Sequence, residues 1–246
     1  AESMLGVCDS AQNNTIMGYS AGRAITSADN NVVIGSSAGN ALTTGAANVT
    51  LGTNTLATAT TALNNTALGH NAMVNVKAGI AVDGCVAIGF ESLYGNSSNT
   101  TGINSTIAIG NSALKVLTTG SGNIGVGHTA LGALTTGARN IGVGTSVLDT
   151  MTQGDDNIAI GYDAMTALST TDGIDKNIAI GNYAMDGVSS LAATENIFIG
   201  YNSGGGGWTG TLSQRNVAIG NETMAGAMDD ADYNIGMGYG VMNVLT

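Results

Sequence analysis

The stretch NIAIGYDAM, residues 157–165, returns as NIAIGNYAM, residues 177–185, and again as NVAIGNETM, residues 216–224. The common unit is NxxxG, followed by two variable residues and a pair that most often reads Ala-Leu or Ala-Met. Aligned on its glycine, the unit occurs thirteen times between Gly18 and Gly238, at intervals of 17 to 21 residues. A fixed internal period is the signature of a solenoid, in which each unit forms one coil that contacts its neighbours.

The extra residues of the longer units fall late, between the Ala-Leu or Ala-Met pair and the next Asn. That is where loops of variable length interrupt a regular repeat, and no linker divides the array. The sequence therefore predicts an all-β protein, a β-solenoid of about thirteen coils with 17–21 residues each. We assign residues 1–13 to an N-terminal lead-in or cap and residues 14–246 to a single repeat domain.

Each unit begins with a predicted short strand, because the residues three and one before the glycine are almost all β-branched or aliphatic. Side chains alternate along a strand, so these two positions share a face, which we expect to be the core. The second part of the unit, around Ala-Leu, fits a single helical turn or a second, bent strand. The Asn that stands four residues before the glycine in eleven of the thirteen units is expected to hydrogen-bond from coil to coil or to satisfy backbone groups of the turn.

The middle strand position, two before the glycine, is small or apolar in every unit and never charged. If the heavy pair faces the core, this position faces outward. A long uncharged stripe of small residues then indicates close contact with another surface, for which we favour a copy of the same chain. The predicted inter-chain contact residues are Ala108, Gly125, Gly142, Ala159, Ala179 and Ala218.

The segments NIAIGYDAM, STIAIGNSAL and CVAIGFESL resemble the head repeats of YadA-like trimeric autotransporter adhesins, and similar arrays occur in phage tail fibres. The resemblance covers nearly the whole array and implies a left-handed β-roll in which three parallel chains associate. The units here are longer than adhesin head units, and the 246 residues show neither the stalk heptads nor the anchor of that family. A phage fibre or another extracellular filament therefore stands beside an autotransporter.

Composition limits the possible partners. The net charge is −11, with six Lys plus Arg, which argues against nucleic acid and anionic membrane surfaces, and no apolar run suits membrane insertion. No motif of an enzyme is present, and His70 and His128 stand three units apart, too far to share a metal. We expect no metal and no cofactor, with calcium at the acidic turns as a weaker alternative. Cys8 and Cys85, about four coils apart, are predicted not to form a disulfide within one chain.

Aromatic and His side chains gather at the position directly after the repeat glycine, in a chain that otherwise has few. Such a row suits binding to sugars or to other proteins. The single Trp lies on a Gly-rich stretch, 203–212, where an exposed ring would serve the same purpose and a ring folded back over the core would cap it. The candidate binding residues are Tyr19, His70, Phe90, His128, Tyr162, Tyr201, Tyr239 and Trp208.

These observations predict a structural fibre or adhesin-type protein of a virion appendage or cell surface. Its partners would be copies of itself, most simply in a trimer, together with a cell-surface glycan or other fibre proteins. Two alternatives stay open. One is an ice-binding solenoid, suggested by the pairs Thr43/Thr44, Thr118/Thr119, Thr135/Thr136 and Thr170/Thr171. The other is a tailspike that cleaves polysaccharide.

Overall fold

A computed structural model describes residues 10–76, 79–80, 82–96, 102–166, 173–187, 193–207, 213–226 and 230–243. The chain divides into two compact units, residues 1–122 and 123–246. The single repeat domain stays a prediction, and most of the predicted lead-in, residues 1–9, lies outside the described residues.

The described residues of unit 1 include six three-residue strands, one from each repeat. Neighbours in sequence are neighbours in the sheet, and every described pairing is parallel and in register; Val86, for example, lies opposite Ile107. The strands are β1 (Thr15–Met17), β2 (Val32–Ile34), β3 (Val49–Leu51), β4 (Thr66–Leu68), β5 (Val86–Ile88) and β6 (Ile107–Ile109).

In unit 2, the part of the chain that the structure describes includes seven strands of the same kind. They are β7 (Ile124–Val126), β8 (Ile141–Val143), β9 (Ile158–Ile160), β11 (Ile178–Ile180), β13 (Ile197–Ile199), β15 (Val217–Ile219) and β16 (Ile235–Met237). They also pair in parallel, in the order of the repeats. A second parallel ladder consists of three two-residue strands, β10 (Ile174–Asp175), β12 (Ala193–Thr194) and β14 (Ser213–Gln214).

This architecture confirms the predicted fold class. The protein is an all-β parallel β-solenoid, and the described residues contain no helix. Outside the strands, most backbone hydrogen bonds also join a coil to the next one, as when Leu131 N donates to Val147 O and Met165 N to Ala184 O. A solenoid is held in this way by contacts between neighbouring coils.

The repeat glycine ends each strand because no other residue fits there. At Gly161 the φ angle is +143°, and a Cβ would lie 2.4 Å from the carbonyl oxygen of Gly181, the equivalent residue of the next coil. Backbone approaches backbone here, so a side chain could be accommodated only by separating the coils.

The segment after the glycine is a tight turn, and so it is neither the helical turn nor the second, bent strand that the sequence left open. The second and fourth residues after the glycine have left-handed backbone angles, for example Asp163 with φ 51° and Met165 with φ 54°. Two residues with positive φ within three positions exclude a helical turn and reverse the chain sharply. The Leu or Met at the fourth position thereby points into the coil, where Leu131 and Met165 are fully buried.

The predicted orientation of the strand is wrong. The middle position faces the interior, and Ala108, Ala159, Ala179 and Ala218 are fully buried within their own chain. Gly125 and Gly142 are buried as well. None of these six residues can contact another chain, and the β-branched pair on either side of them faces outward. The coil is narrow, and the buried Leu and Met of the opposite wall leave room only for a small side chain.

A few middle strand positions carry a large side chain, and there the opposite wall of the coil is smaller. Phe198 occupies the middle position of β13 and is fully buried. In that unit the Leu or Met at the fourth position is replaced by Gly204, where a Cβ would lie 2.6 Å from Phe198 Cδ1. Ile16 is paired in the same way with Gly22, and Val33 with Gly39. A large residue on one wall of a coil therefore requires a glycine on the other.

The Asn column forms a buried hydrogen-bonded ladder, as predicted. Asn157 donates its side-chain amide to Asn140 Oδ1 and to Ile174 O, and its own Oδ1 accepts from the backbone and side-chain amides of Asn177. The same pattern joins Asn31 to Asn48 in unit 1. These amides satisfy backbone groups at a corner that water does not reach.

Candidate interaction surface

The outward face of the strands in unit 2 is entirely aliphatic. Exposed fractions reach 36% at Val143, 39% at Ile160 and 37% at Ile219, and they are higher on the last strand, at 67% for Ile235 and 68% for Met237. The face, here called the aliphatic face, consists of Ile124, Val126, Ile141, Val143, Ile158, Ile160, Ile178, Ile180, Ile197, Ile199, Val217, Ile219, Ile235 and Met237.

Unit 1 has an equivalent face with one difference. Ten of its twelve outward strand side chains are aliphatic, and the other two are Thr15 and Thr66. Leu51 is 45% exposed and Met17 is 63% exposed. Neither unit has a charged side chain on this face, although the chain carries a net charge of −11.

Such a face is unusual on an isolated protein. Single exposed apolar side chains are common, but a contiguous patch larger than a few hundred Å² marks a surface that binds something. Fourteen neighbouring aliphatic side chains in unit 2 form a patch on the order of several hundred Å². Because parallel strands repeat the same residue types in register, the patch is also regular along the direction of stacking.

One border of the aliphatic face in unit 2 carries charges of alternating sign, which stand two residues before the strands β8, β9, β11, β13 and β15. Arg139 pairs with Asp156, and Glu195 lies between Lys176 and Arg215. The Asp156 carboxylate, hydrogen-bonded to Arg139, raises the pKa of that guanidinium, and Arg139 lowers the pKa of Asp156. These pairs are exposed and each contributes little to stability, so we read them as a hydrated edge rather than as a site.

The other border carries the predicted aromatic column. Its described members are all exposed, namely Tyr19, His70, Phe90, His128, Tyr162, Tyr201 and Tyr239. In unit 1 the rings of His70 and Phe90 stack with centroids 5.5 Å apart. Trp208 lies outside the described residues. A binding role for this column stays a prediction.

In unit 2 the structure adds a ring that the sequence analysis missed. Tyr183 packs edge-to-face against Tyr162 at 5.4 Å and against Tyr201 at 5.8 Å, measured between ring centroids. It stands two residues after its glycine instead of one, and so it falls outside the aligned column. The signal was available, because the unit places Asn182 where its neighbours place Tyr162 and Tyr201.

Acidic groups surround these rings. The Tyr162 hydroxyl hydrogen-bonds the Asp163 carboxylate, which raises the pKa of Tyr162, and Glu222 acts on Tyr239 in the same way. Burial, and then the charge of Asp163, raises the pKa of Asp186. The surroundings of the rings are therefore negative.

The remaining candidates do not gather into a site. Within the described ranges no three His, Cys, Asp or Glu side chains are placed to hold a metal ion. Cys85 is a buried free thiol whose pKa burial raises to about 11, while Cys8 lies outside the described residues. Two acids of the turns proposed for calcium, Asp155 and Asp156, are engaged by Arg139.

No protein family, curated protein or solved structure matches this chain. In the part of the chain that the structure describes, there is no helix of sufficient length and hydropathy to span a membrane.

Proposed function

We propose that this chain is a structural fibre or adhesin-type protein of a virion appendage or cell surface, in which parallel copies associate through the aliphatic face. The observation that supports the proposal best is the face itself, fourteen outward strand side chains in unit 2 without one polar group. Covering such a surface with another apolar surface is favourable by about 25 cal/mol for every Å² that is removed from water.

A second copy is the partner that suits this face. Two parallel copies present the same residue types at the same spacing along the stack, so that contacts made at one coil repeat at the next. The face carries no charge, so copies of a strongly acidic chain can meet there without placing like charges together. Three copies are the arrangement that the resemblance to trimeric adhesin heads implies.

The decisive experiment changes Ile160, which lies on the aliphatic face of β9 and is 39% exposed. A single coil tolerates a polar residue at this exposed position, but an interface would bury it. We expect Ile160→Glu to weaken association about 100-fold or more, since an unpaired buried charge costs several kcal/mol. Multi-angle light scattering gives the mass of each particle, and circular dichroism reports whether the β-structure is kept.

Two further variants sharpen the result. Thr136→Glu adds the same charge at an exposed turn of the same unit, and it should leave the mass unchanged. Ile160→Lys should weaken association as much as Ile160→Glu, because burial of a charge is unfavourable whatever its sign. A parent protein that is monomeric at all concentrations would contradict the proposal.

The ice-binding alternative has weaker support. Ice-binding faces present outward hydroxyls on regular strands, whereas Thr43 and Thr135 use theirs to bond carbonyl oxygens of the next coil. Of the pairs that motivated it, Thr170/Thr171 lies outside the described residues. Thermal hysteresis measured on the parent protein tests this alternative directly, and release of reducing sugar from polysaccharides tests the tailspike.

A further inference from the structure

From the arrangement of rings and amides beside the aliphatic face, we infer that unit 2 binds a linear, uncharged polysaccharide along a ridge formed by Tyr162, Asn182, Tyr183, Tyr201 and Asn221. This tyrosine ridge gives the proposed surface protein its ligand, and in that sense it rests on the proposed function. The inference depends on a border of the aliphatic face, not on the face itself.

The rings of the ridge follow the stacking direction of the coils. Tyr162, Tyr183 and Tyr201 come from three successive repeats, and their centroids are separated by 5.4 and 5.8 Å. Tyr162 is 45% exposed and Tyr201 is 49% exposed, so these two rings are accessible from solvent, while Tyr183 between them is half-buried. Tyr239 continues the same column two repeats beyond Tyr201 and is 78% exposed. An extended row of rings suits an extended ligand better than a compact one.

The amides between the rings are held in place. Asn182 accepts a hydrogen bond from the backbone N–H of Tyr162 at 3.0 Å, and Asn221 accepts one from Tyr201 at 3.3 Å. Both amides therefore have a fixed oxygen, while within the described residues neither amide nitrogen donates a hydrogen bond. Each NH₂ group is left with two donors directed away from the backbone bond.

This combination matches the chemistry of a sugar chain. A pyranose ring has faces lined by C–H groups, which pack on aromatic rings, and edges lined by hydroxyls, which bond amides and carboxylates. Tyrosine offers a large apolar surface with few rotatable bonds, so little conformational entropy is lost when it binds. The ridge supplies rings and hydrogen-bonding groups in alternation, as such a ligand requires.

The charges near the ridge select among sugar chains. Asp163 contacts the hydroxyl of Tyr162, Glu222 contacts that of Tyr239, and Asp186 lies near Asp163. A polyanionic glycan would be repelled by these acids, whereas a neutral chain can use their oxygens as acceptors. We therefore commit to a neutral polysaccharide.

Native affinity electrophoresis tests the inference, with dextran, amylose, galactomannan or hydroxyethyl cellulose cast separately into the gel and alginate as the anionic comparison. We expect the parent protein to be retarded by at least one neutral polymer and not by alginate. Tyr183→Ala, which removes the central ring, should weaken binding about tenfold or more. Tyr233→Ala is the matched control, because Tyr233 is 66% exposed in the same unit and packs on Arg215, away from the ridge.

Each result has one meaning. Retardation that is lost in Tyr183→Ala and kept in Tyr233→Ala supports the ridge. Absence of retardation by all four neutral polymers, retardation by alginate alone, or equal loss in both variants overturns it. A change of particle mass in Tyr183→Ala also overturns it, because the ridge would then belong to the contact between copies. Ile160→Glu separates the two proposals, since loss of assembly with retained retardation leaves the glycan site standing alone.

Discussion

At the scale of single residues, two positions fill the interior of each coil, and the sizes of their side chains are complementary. Where the middle strand residue is Ala or Gly, the residue four after the glycine is Leu or Met, as in Ala179 with Met185. Where the middle residue is large, as Phe198 is, the partner is Gly204. Protein interiors are close-packed, so neither member of a pair can change size alone.

The pair Phe198 and Gly204 allows the energetic coupling between the two side-chain sizes to be measured. Phe198→Ala should destabilise unit 2 by about 3–5 kcal/mol, because it leaves a cavity that a glycine cannot fill. Gly204→Met should also destabilise it, since a Cβ at Gly204 already lies 2.6 Å from the ring of Phe198. The double variant recreates the pair of the preceding coil and should recover most of the loss.

Urea unfolding of the parent, the two single variants and the double variant gives the coupling energy of the pair. Recovery does not have to be complete, because Met at φ +66° adopts a left-handed backbone that costs about 1 kcal/mol. Met185, with φ 56°, shows that a methionine occupies this conformation in a neighbouring coil. If the double variant loses as much free energy of unfolding as the two single variants together, the two side chains do not compensate for each other in size.

At the scale of the coil, the Asn ladder fixes the register of the stack. Each side chain bonds both to the coil before it and to the coil after it, so a shift of one residue would break all the bonds at once. Cys85 and Thr106 interrupt the column in unit 1. Cys85 N still donates to Asn65 Oδ1, but Thr106 Oγ1 is buried and makes no hydrogen bond within the described residues. The ladder therefore tolerates a local defect but is continuous through much of unit 2.

Removing one rung should be costly. Asn157→Ala would leave Ile174 O and the backbone N–H of Asn177 buried without their partners. Each unsatisfied buried group costs about 1–3 kcal/mol, so for the two groups we expect a loss of at least about 2 kcal/mol in urea unfolding. Asn221→Ala is the control, since Asn221 is exposed and its oxygen accepts one hydrogen bond, and it should cost less than about 1 kcal/mol. Equal losses in the two variants would show that burial of the ladder is not what stabilises the stack.

The same coils show how far the sequence alone could predict the structure. Repeat spacing correctly placed the strands and the Asn ladder, because both follow directly from the alignment on the glycine. The side facing the core was predicted wrongly, since a heavy pair such as Ile158 and Ile160 normally points inward. Here the heavy pair points outward, because the coil is wide enough only for the small middle residue. The sequence does indicate this narrow interior, since the large middle residue Phe198 occurs together with Gly204. The ring of Tyr183 was missed because it is displaced by one position from its column.

At the scale of the whole molecule, the reversed orientation moves the proposed surface for association from the small residues to the aliphatic ones. A charge at Ala159 or Ala179, two of the predicted contact residues, would be buried inside the coil of a single chain and could not test assembly. Ile160 reports on it instead. An acidic protein with an uncharged apolar face is protected from nonspecific association by its charge elsewhere, and it keeps one surface available for a specific partner.

Assembly through an apolar face predicts how stability depends on concentration and salt. If copies associate only when folded, mass action makes the thermal midpoint rise with protein concentration. We expect a tenfold dilution of the parent protein to lower the midpoint by a few degrees, since about 1.4 kcal/mol corresponds to a tenfold change. In 1 M salt, where the screening length falls to about 3 Å, the dependence should persist, because the face carries no charges to screen. Scanning calorimetry at several concentrations gives both results.

In Ile160→Glu the midpoint should be lower and independent of concentration, whereas Thr136→Glu should behave as the parent does. A parent midpoint that stays constant on dilution, or a dependence that disappears in salt, would mean that the aliphatic face is not what joins the copies.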